Sequence, residues 1–268
     1  MEIPTLSKYS LSFAFLCLLF LVFGLWNVKT EETYAPKPLH VLCYHDITPN
    51  SSFKYSRTTE KLKYDFQLLR DSGFKVVPLE KIIEAGQKKV PLALREAALT
   101  FDDATTGQYQ YARPLLKSFG YPATFYAPTA LVESGEPAAK EYSGTMAWAD
   151  IQKLAEEGFY IASHGHSHKD LSRLSPGDLK EEIQKSLSLL RKRTGMNVLD
   201  FCLPYGLYKR EQEEHFLEAG IRSMALTTTD HGPGIPALVK IRRFEVLADT
   251  GAEEILEALG WENKEKRP

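Results

Sequence analysis

Apolar positions over residues 39–262 alternate between two periods. Short apolar runs are followed by a polar loop, then by a stretch with apolar residues three and four apart that stops at a glycine. Leu62, Phe66 and Leu69 precede Gly73, with Val76-Val77 beyond it; Leu115, Leu116 and Phe119 precede Gly120, with Ala123 to Tyr126 beyond; Ile151 and Leu154 precede Gly158, with Tyr160 to Ala162 beyond. The spacing predicts amphipathic helices, each glycine supplies a left-handed cap, and the run after it is the next strand. Ser175-Pro176-Gly177-Asp178 offers a capping hydroxyl and a first-turn proline, which predicts a helix running to about Arg193 before Gly195. Val198 to Cys202 then reads as a strand, a helix around Glu211 to Ala219 ends at Gly220, and Met224 to Thr227 and Ile241 to Val246 are further strands. With Val41 to Tyr44 and Ala97 to Phe101 they make an α/β chain, predicted as a distorted (β/α) barrel of about seven to eight parallel strands joined by crossovers. An open doubly wound sheet is the alternative, but no glycine-rich phosphate loop follows any strand.

The first 38 residues follow another pattern. Leu11 to Trp26 carries no charge, and with Val28 it approaches the roughly 20 apolar residues that cross a bilayer. It ends in Leu25-Trp26-Asn27-Val28-Lys29 rather than in small residues suited to cleavage. The expectation is a short tail over 1–10, one transmembrane anchor or uncleaved signal over 11–28, a polar, proline-containing linker over 29–38, the globular domain over 39–262 and a tail over 263–268. A net charge of -2 and the lack of a basic, aromatic-interleaved stripe argue against nucleic acid as a partner. Three cysteines, Cys17, Cys43 and Cys202, form no CxxC pair and so indicate neither a thiolate zinc site nor a disulfide framework.

In either architecture ligands bind beyond the carboxyl ends of the strands. The polar residues there are His45-Asp46, Asp102-Asp103, His164, His168, Tyr205, Asp230 and Arg243. Adjacent aspartates repel unless a cation relieves them, so one can bind a metal while its neighbour acts as a base. His164 and His168 can face one ion if their segment makes a helical turn, and two imidazoles with a carboxylate leave a coordination position open for water. Taken singly these signals have plainer readings. An Asp-Asp pair after a strand is most often a turn or helix cap, a histidine-rich tract can be a surface loop, and Pro204-Tyr205-Gly206 is ordinary turn chemistry. His40 and His215 read as structural and solvated residues respectively.

Thr100-Phe101-Asp102-Asp103, the string His164-Gly165-His166-Ser167-His168-Lys169-Asp170-Leu171, and Phe201-Cys202-Leu203-Pro204-Tyr205-Gly206 resemble the first three motifs of the NodB-type polysaccharide deacetylases, carbohydrate esterase family four. The resemblance spans about Leu39 to Val246. It implies a hydrolase with a divalent metal, zinc above all, that removes N-acetyl groups from an N-acetylglucosamine-containing polysaccharide of the cell envelope or exopolysaccharide. Asp102 would be the general base, with Asp103, His164 and His168 as metal ligands and the backbone N–H of Tyr205 as an oxyanion donor. Two departures stand out. Cys202 occupies the position where members commonly carry the arginine that pairs with the base, and no late Leu-x-His string supplies the usual acid.

Both gaps resemble one subgroup, the poly-N-acetylglucosamine deacetylases. Arg243 is similar to its late-strand arginine, and Val41-Leu42-Cys43-Tyr44-His45-Asp46 is similar to its opening strand, from which His45 would supply the acid; His231 is the next candidate. The segment Tyr142 to Trp148 is similar to the one before its histidine motif. The catalytic domain is then expected to be membrane-anchored and extracytoplasmic, with protein partners undefined. The alternatives are an anchored, non-catalytic glycan-binding module, a membrane-tethered structural protein, or a deacetylase of peptidoglycan, chitooligosaccharide or O-acetyl groups.

Overall fold

The computed structural model describes residues 39–50, 52–93, 95–226 and 237–261. The expected tails, membrane segment and linker, together with Asp230 and His231, lie outside the described residues. In chain order, β1 (Val41–Tyr44), β2 (Asp46–Thr48) and β3 (Ser56–Thr58) lead to α1 (Thr59–Asp71), β4 (Lys75–Val76), α2 (Leu79–Lys88) and β5 (Glu96–Phe101). Then come α3 (Arg113–Phe119), β6 (Thr124–Ala127), α4 (Thr129–Ser134), α5 (Trp148–Glu156), β7 (Tyr160–Ser163), α6 (Pro176–Thr194) and β8 (Asp200–Cys202). The chain finishes with α7 (Glu213–Glu218), β9 (Ser223–Leu226), β10 (Val239–Arg242), β11 (Phe244–Glu245) and α8 (Ala252–Ala258).

Eight parallel strands pair in the row β10-β9-β8-β7-β6-β5-β1-β11. The two ends of this row are consecutive in the chain, separated by Arg243 alone. One stretch therefore bonds to β9 through its first half and to β1 through its second, and the sheet curls into a nearly closed barrel. The single strand expected over Ile241 to Val246 is thus two short strands with different neighbours, because a flat strand cannot serve both edges of a curling sheet. The strand expected at Val76-Val77 is β4, which pairs with the start of β5 and stays off the barrel row.

Strand alternation explains the interior. One residue each from β1 and from β5 to β10 (Val41, Ala98, Tyr126, Ala162, Cys202, Ala225 and Ile241) packs into a single buried cluster, to which α2 adds Leu79, Ile82 and Ile83. Most of these side chains are small, which suits a narrow barrel. Their chain neighbours Leu42, Leu99, Phe125, Ile161 and Phe201 point the other way, into the layer between strands and helices. There Phe101 stacks between Tyr44 and Phe125, with ring centroids 5.3 and 5.0 Å away. Helix α6 starts as its sequence predicts, with Ser175 Oγ accepting from the Asp178 amide at 3.2 Å behind Pro176, and it ends at Gly195 with φ 70°.

Candidate active site

The inward columns of the barrel run on past its apolar layer, and there they become polar. Val41, Cys43 and His45 form one column; Ala98, Thr100 and Asp102 a second; Ile241, Arg243 and Glu245 a third; Ala162 and His164 a fourth. A period of two carries each column from the core to the carboxyl rim. The Asp102 amide donates to the Tyr44 carbonyl at 2.9 Å, extending the β1–β5 ladder by one residue. The chain then reverses hand, with φ 72° at Asp103 and 49° at Ala104. This turn sends two adjacent carboxylates to different places.

Asp102 stays over the barrel axis. Arg243 grips it bidentately, Nη1 on Oδ1 and Nη2 on Oδ2, both at 2.7 Å, and is itself only 1% exposed. The same guanidinium donates to the Leu226 carbonyl and to Thr100 Oγ1, each at 3.1 Å, so its fork is fixed before it meets the carboxylate. The Cys202 and Cys43 thiols lie 3.3 and 3.5 Å from Oδ2. Burial pushes both thiols up, so they remain neutral, weak donors. Burial also works against ionised Asp102, but the charge and hydrogen bonds of Arg243 outweigh it and hold the carboxyl far below the usual range. Among the described residues, Oδ2 is crowded by three neighbours, whereas Oδ1 has the arginine alone.

Asp103 meets the two histidines. His164 Nε2 is 3.3 Å and His168 Nε2 is 3.0 Å from Asp103 Oδ1, and the imidazole centroids are 4.9 Å apart. The expected helical turn is absent. Residues 164–168 form a loop with left-handed backbone at Gly165 (φ 75°) and His168 (φ 54°), and that reversal, not helical periodicity, folds the second imidazole back. His164 Nδ1 lies 3.0 Å from the Cys202 carbonyl, an acceptor, so Nδ1 carries a proton and Nε2 is the atom turned to Asp103, able to ligate a cation when deprotonated.

These residues fit a divalent cation. Asp103 Oδ1 is buried and, among the described residues, has no aligned hydrogen-bond donor although two ring nitrogens approach it closely. The three potential ligand atoms lie within 4.8 Å of one another and belong to the carboxylate–imidazole class that binds zinc. Tyr142 lines the same cavity; burial first, then the Asp103 charge, push its phenol up, so it keeps its proton.

A cavity of about 420 Å³ opens over this floor, lined by Asp102, Asp103, His164, His168, His45 and Tyr205 among others. His45 Nε2 sits 3.7 Å from Glu245 Oε1, its ring is tilted against Tyr55, and its buried Nδ1 has no partner among the described residues. Tyr205 is 60% exposed, holds a left-handed φ of 61° and places its ring 5.0 Å from that of His168. Arg243 lies beneath Asp102. Asp46 turns away, accepting instead from Ser56 and from both the amide and hydroxyl of Ser143. His40 bonds the Glu96 carbonyl and His215 approaches Glu218, both outside the cavity.

Three residues at or beside the site escaped sequence reasoning: Glu245, Tyr142 in the cavity with Asp103, and Glu182, which accepts from the amides of His166 and Ser167 at 3.0 and 2.9 Å. A signal for Glu182 was present. It falls on the apolar stripe of α6 with Leu179, Ile183, Leu187 and Leu190, where an unneutralised acid is out of place.

A sequence model of the polysaccharide deacetylase family matches residues 89–224. The Bacillus subtilis protein YxkH, whose name places it among polysaccharide deacetylases, is 26% identical over 220 residues, covering 80% of this chain and 74% of YxkH. The poly-beta-1,6-N-acetyl-D-glucosamine N-deacetylase of Escherichia coli K12 is 28% identical over 166 residues, 57% of this chain but 24% of that much longer protein. Among solved structures, the Streptococcus pyogenes deacetylase PplD in complex with acetate superposes with a TM-score of 0.70 at 22% identity, covering 82% of this chain and 96% of PplD, a likeness of fold.

Proposed function

This chain belongs to the polysaccharide deacetylase family, and on that premise we propose that it removes N-acetyl groups from an N-acetylglucosamine-containing polysaccharide with zinc held by Asp103, His164 and His168. The observation that carries this reading is the meeting of those three ligand atoms beside an ionised, arginine-clamped Asp102. A divalent cation bound there supplies Lewis-acid polarisation and makes water acidic enough to lose a proton near neutrality.

Asp102 is the general base in this scheme, and Oδ1 is its working atom because Oδ2 is already occupied by three neighbours. A carboxylate held so far down is a poor base toward ordinary water, so proton uptake at Oδ1 depends on the water being acidified. Arg243 keeps the charge and the aim of Asp102 fixed. His45, on the cavity wall beside Glu245, donates a proton to the leaving amine, without which C–N cleavage is slow. The backbone N–H of Tyr205 serves as an oxyanion donor, of a kind commonly worth about 3 kcal/mol. The products are acetate and a free amino sugar. The apolar segment over 11–28 would tether this domain to a membrane on the extracytoplasmic side, where such polymers lie.

The test is acetate release from an N-acetylglucosamine oligomer by the full chain. Release should cease with a strong chelator and return with added zinc. Release that persists in protein shown to be metal-free would overturn the metal assignment, and tight glycan binding without any release would make the domain a glycan-binding module.

A further inference from the structure

His168 carries a cost that its own sequence neighbourhood does not explain. A side chain in left-handed backbone, here with φ 54°, is less stable than in the ordinary conformation, so something beyond the loop must hold it there. The carbonyls of Gly165 and His166 accept from the Thr129 and Ala130 amides at 3.2 and 2.8 Å, at the start of α4. The amides of His166 and Ser167 both donate to Glu182 Oε2, at 3.0 and 2.9 Å, and the Ser167 hydroxyl donates to Glu182 Oε1. Glu182 is 8% exposed, and these three donors all come from the one loop. A hypothetical Cβ on Gly165 would lie 3.5 Å from Glu182 Oε2, so the carboxylate also fills the hollow of the turn.

We propose that Glu182 is a positioning residue for the cation site: its buried carboxylate fixes the loop shape that returns His168 Nε2 to Asp103. The inference rests on the reading that Asp103, His164 and His168 hold a cation. Chemistry favours an acid at this place. A carboxylate accepts on both oxygens and carries a charge toward all three donors, whereas glutamine has one acceptor oxygen: it could serve the two amides only by setting its NH₂ against Ser167 Oγ, which would have to turn from donor to acceptor. The residue stands outside the cavity over the triad and touches no reacting atom, so its influence passes through loop geometry.

The experiment measures zinc affinity of the intact protein by competition with a chromophoric chelator, in wild type, Glu182→Gln and Ser167→Ala. Glu182→Gln should weaken zinc binding by about tenfold or more. Ser167→Ala, which removes the hydroxyl donor alone, should weaken it by about threefold. A role confined to stability would lower the thermal midpoint of the zinc-free protein and leave zinc affinity unchanged. If Glu182→Gln does not fold, Ser167→Ala decides: a loss supports the proposal and wild-type affinity overturns it. Unchanged affinity in both variants, with wild type binding zinc, removes Glu182 from the site while the cation reading stands. A wild-type protein that binds no zinc overturns both.

Discussion

Two buried arginine–aspartate forks sit back to back across strand β1, and they do different work. On the outer face, Arg57 holds Asp65 through Nε at 3.0 Å and Nη2 at 2.6 Å. On the inner face, Arg243 also holds Asp102 bidentately, but end-on through Nη1 and Nη2, with Nε spent on the Leu226 carbonyl. Adjacent residues of β1 attend one pair each: Tyr44 donates to Asp65 from the outer face and the Cys43 thiol approaches Asp102 from the inner one. What separates the pairs is the rest of their surroundings. The Nη1 of Arg57 also donates to the carbonyls of Leu247, Ala248 and Thr250, so this fork staples the chain after β11 to the β3–α1 corner. Asp65 is fully buried, and burial outweighs its partners to push its carboxyl up. Asp102 borders the cavity, adjoins the cation ligands, and is held down by Arg243 despite its burial. A buried ion pair is therefore a part whose purpose is set by what lies on its open side.

The sharpest way to break the comparison is to neutralise each acid–arginine pair and read both activity and stability. Asp102→Asn should lower acetate release by about three orders of magnitude, within the range general bases command, while zinc content stays at the wild-type level. Retained activity would remove Asp102 as the base. Arg57→Met leaves buried Asp65 with the Tyr44 hydroxyl but no counter-charge and should cost about 3–5 kcal/mol in urea-monitored unfolding. Turnover of the protein that remains folded should change little, and a large turnover defect would join the outer fork to the catalytic machinery. Next in size, His45→Ala should reduce turnover about a hundredfold with zinc still bound. Near-normal turnover would transfer the acid role to another residue. The smallest effect is expected from Tyr142→Phe, which removes the phenolic hydroxyl from the cavity beside Asp103 and should weaken zinc affinity several-fold, about 1 kcal/mol. Unchanged affinity in the chelator competition would show that Tyr142 contributes shape alone.

Much of this was legible along the chain. Ser175-Pro176 and Gly195 bracket α6 as capping chemistry requires, and Phe101-Asp102-Asp103 falls where a strand ends. The histidine string was readable as a pair of ligands, but the turn that joins them was not: helical spacing suggested a helix, while the loop instead reverses at Gly165 and His168 under contacts from α4 and α6. Glu182 stood out on the apolar stripe of α6, but its task was hidden for the related reason that two of its three donors are backbone amides, which carry no letter in the sequence. Arg243 could be matched as a substitute for the absent arginine, yet its position at the break between β10 and β11 depends on the two ends of the sheet meeting there.

By itself the sequence determined which residues alternate inward, where helices begin and stop, and which side chains arrive at the carboxyl rim, because periodicity and capping are local properties of the backbone. Tertiary structure decided which columns stand beside each other. Asp102 and Arg243 lie 141 residues apart, and only closure of the barrel sets their forks at 2.7 Å. A strand's period fixes the face a residue takes, but the curvature and stagger of the whole sheet fix the neighbour it finds there.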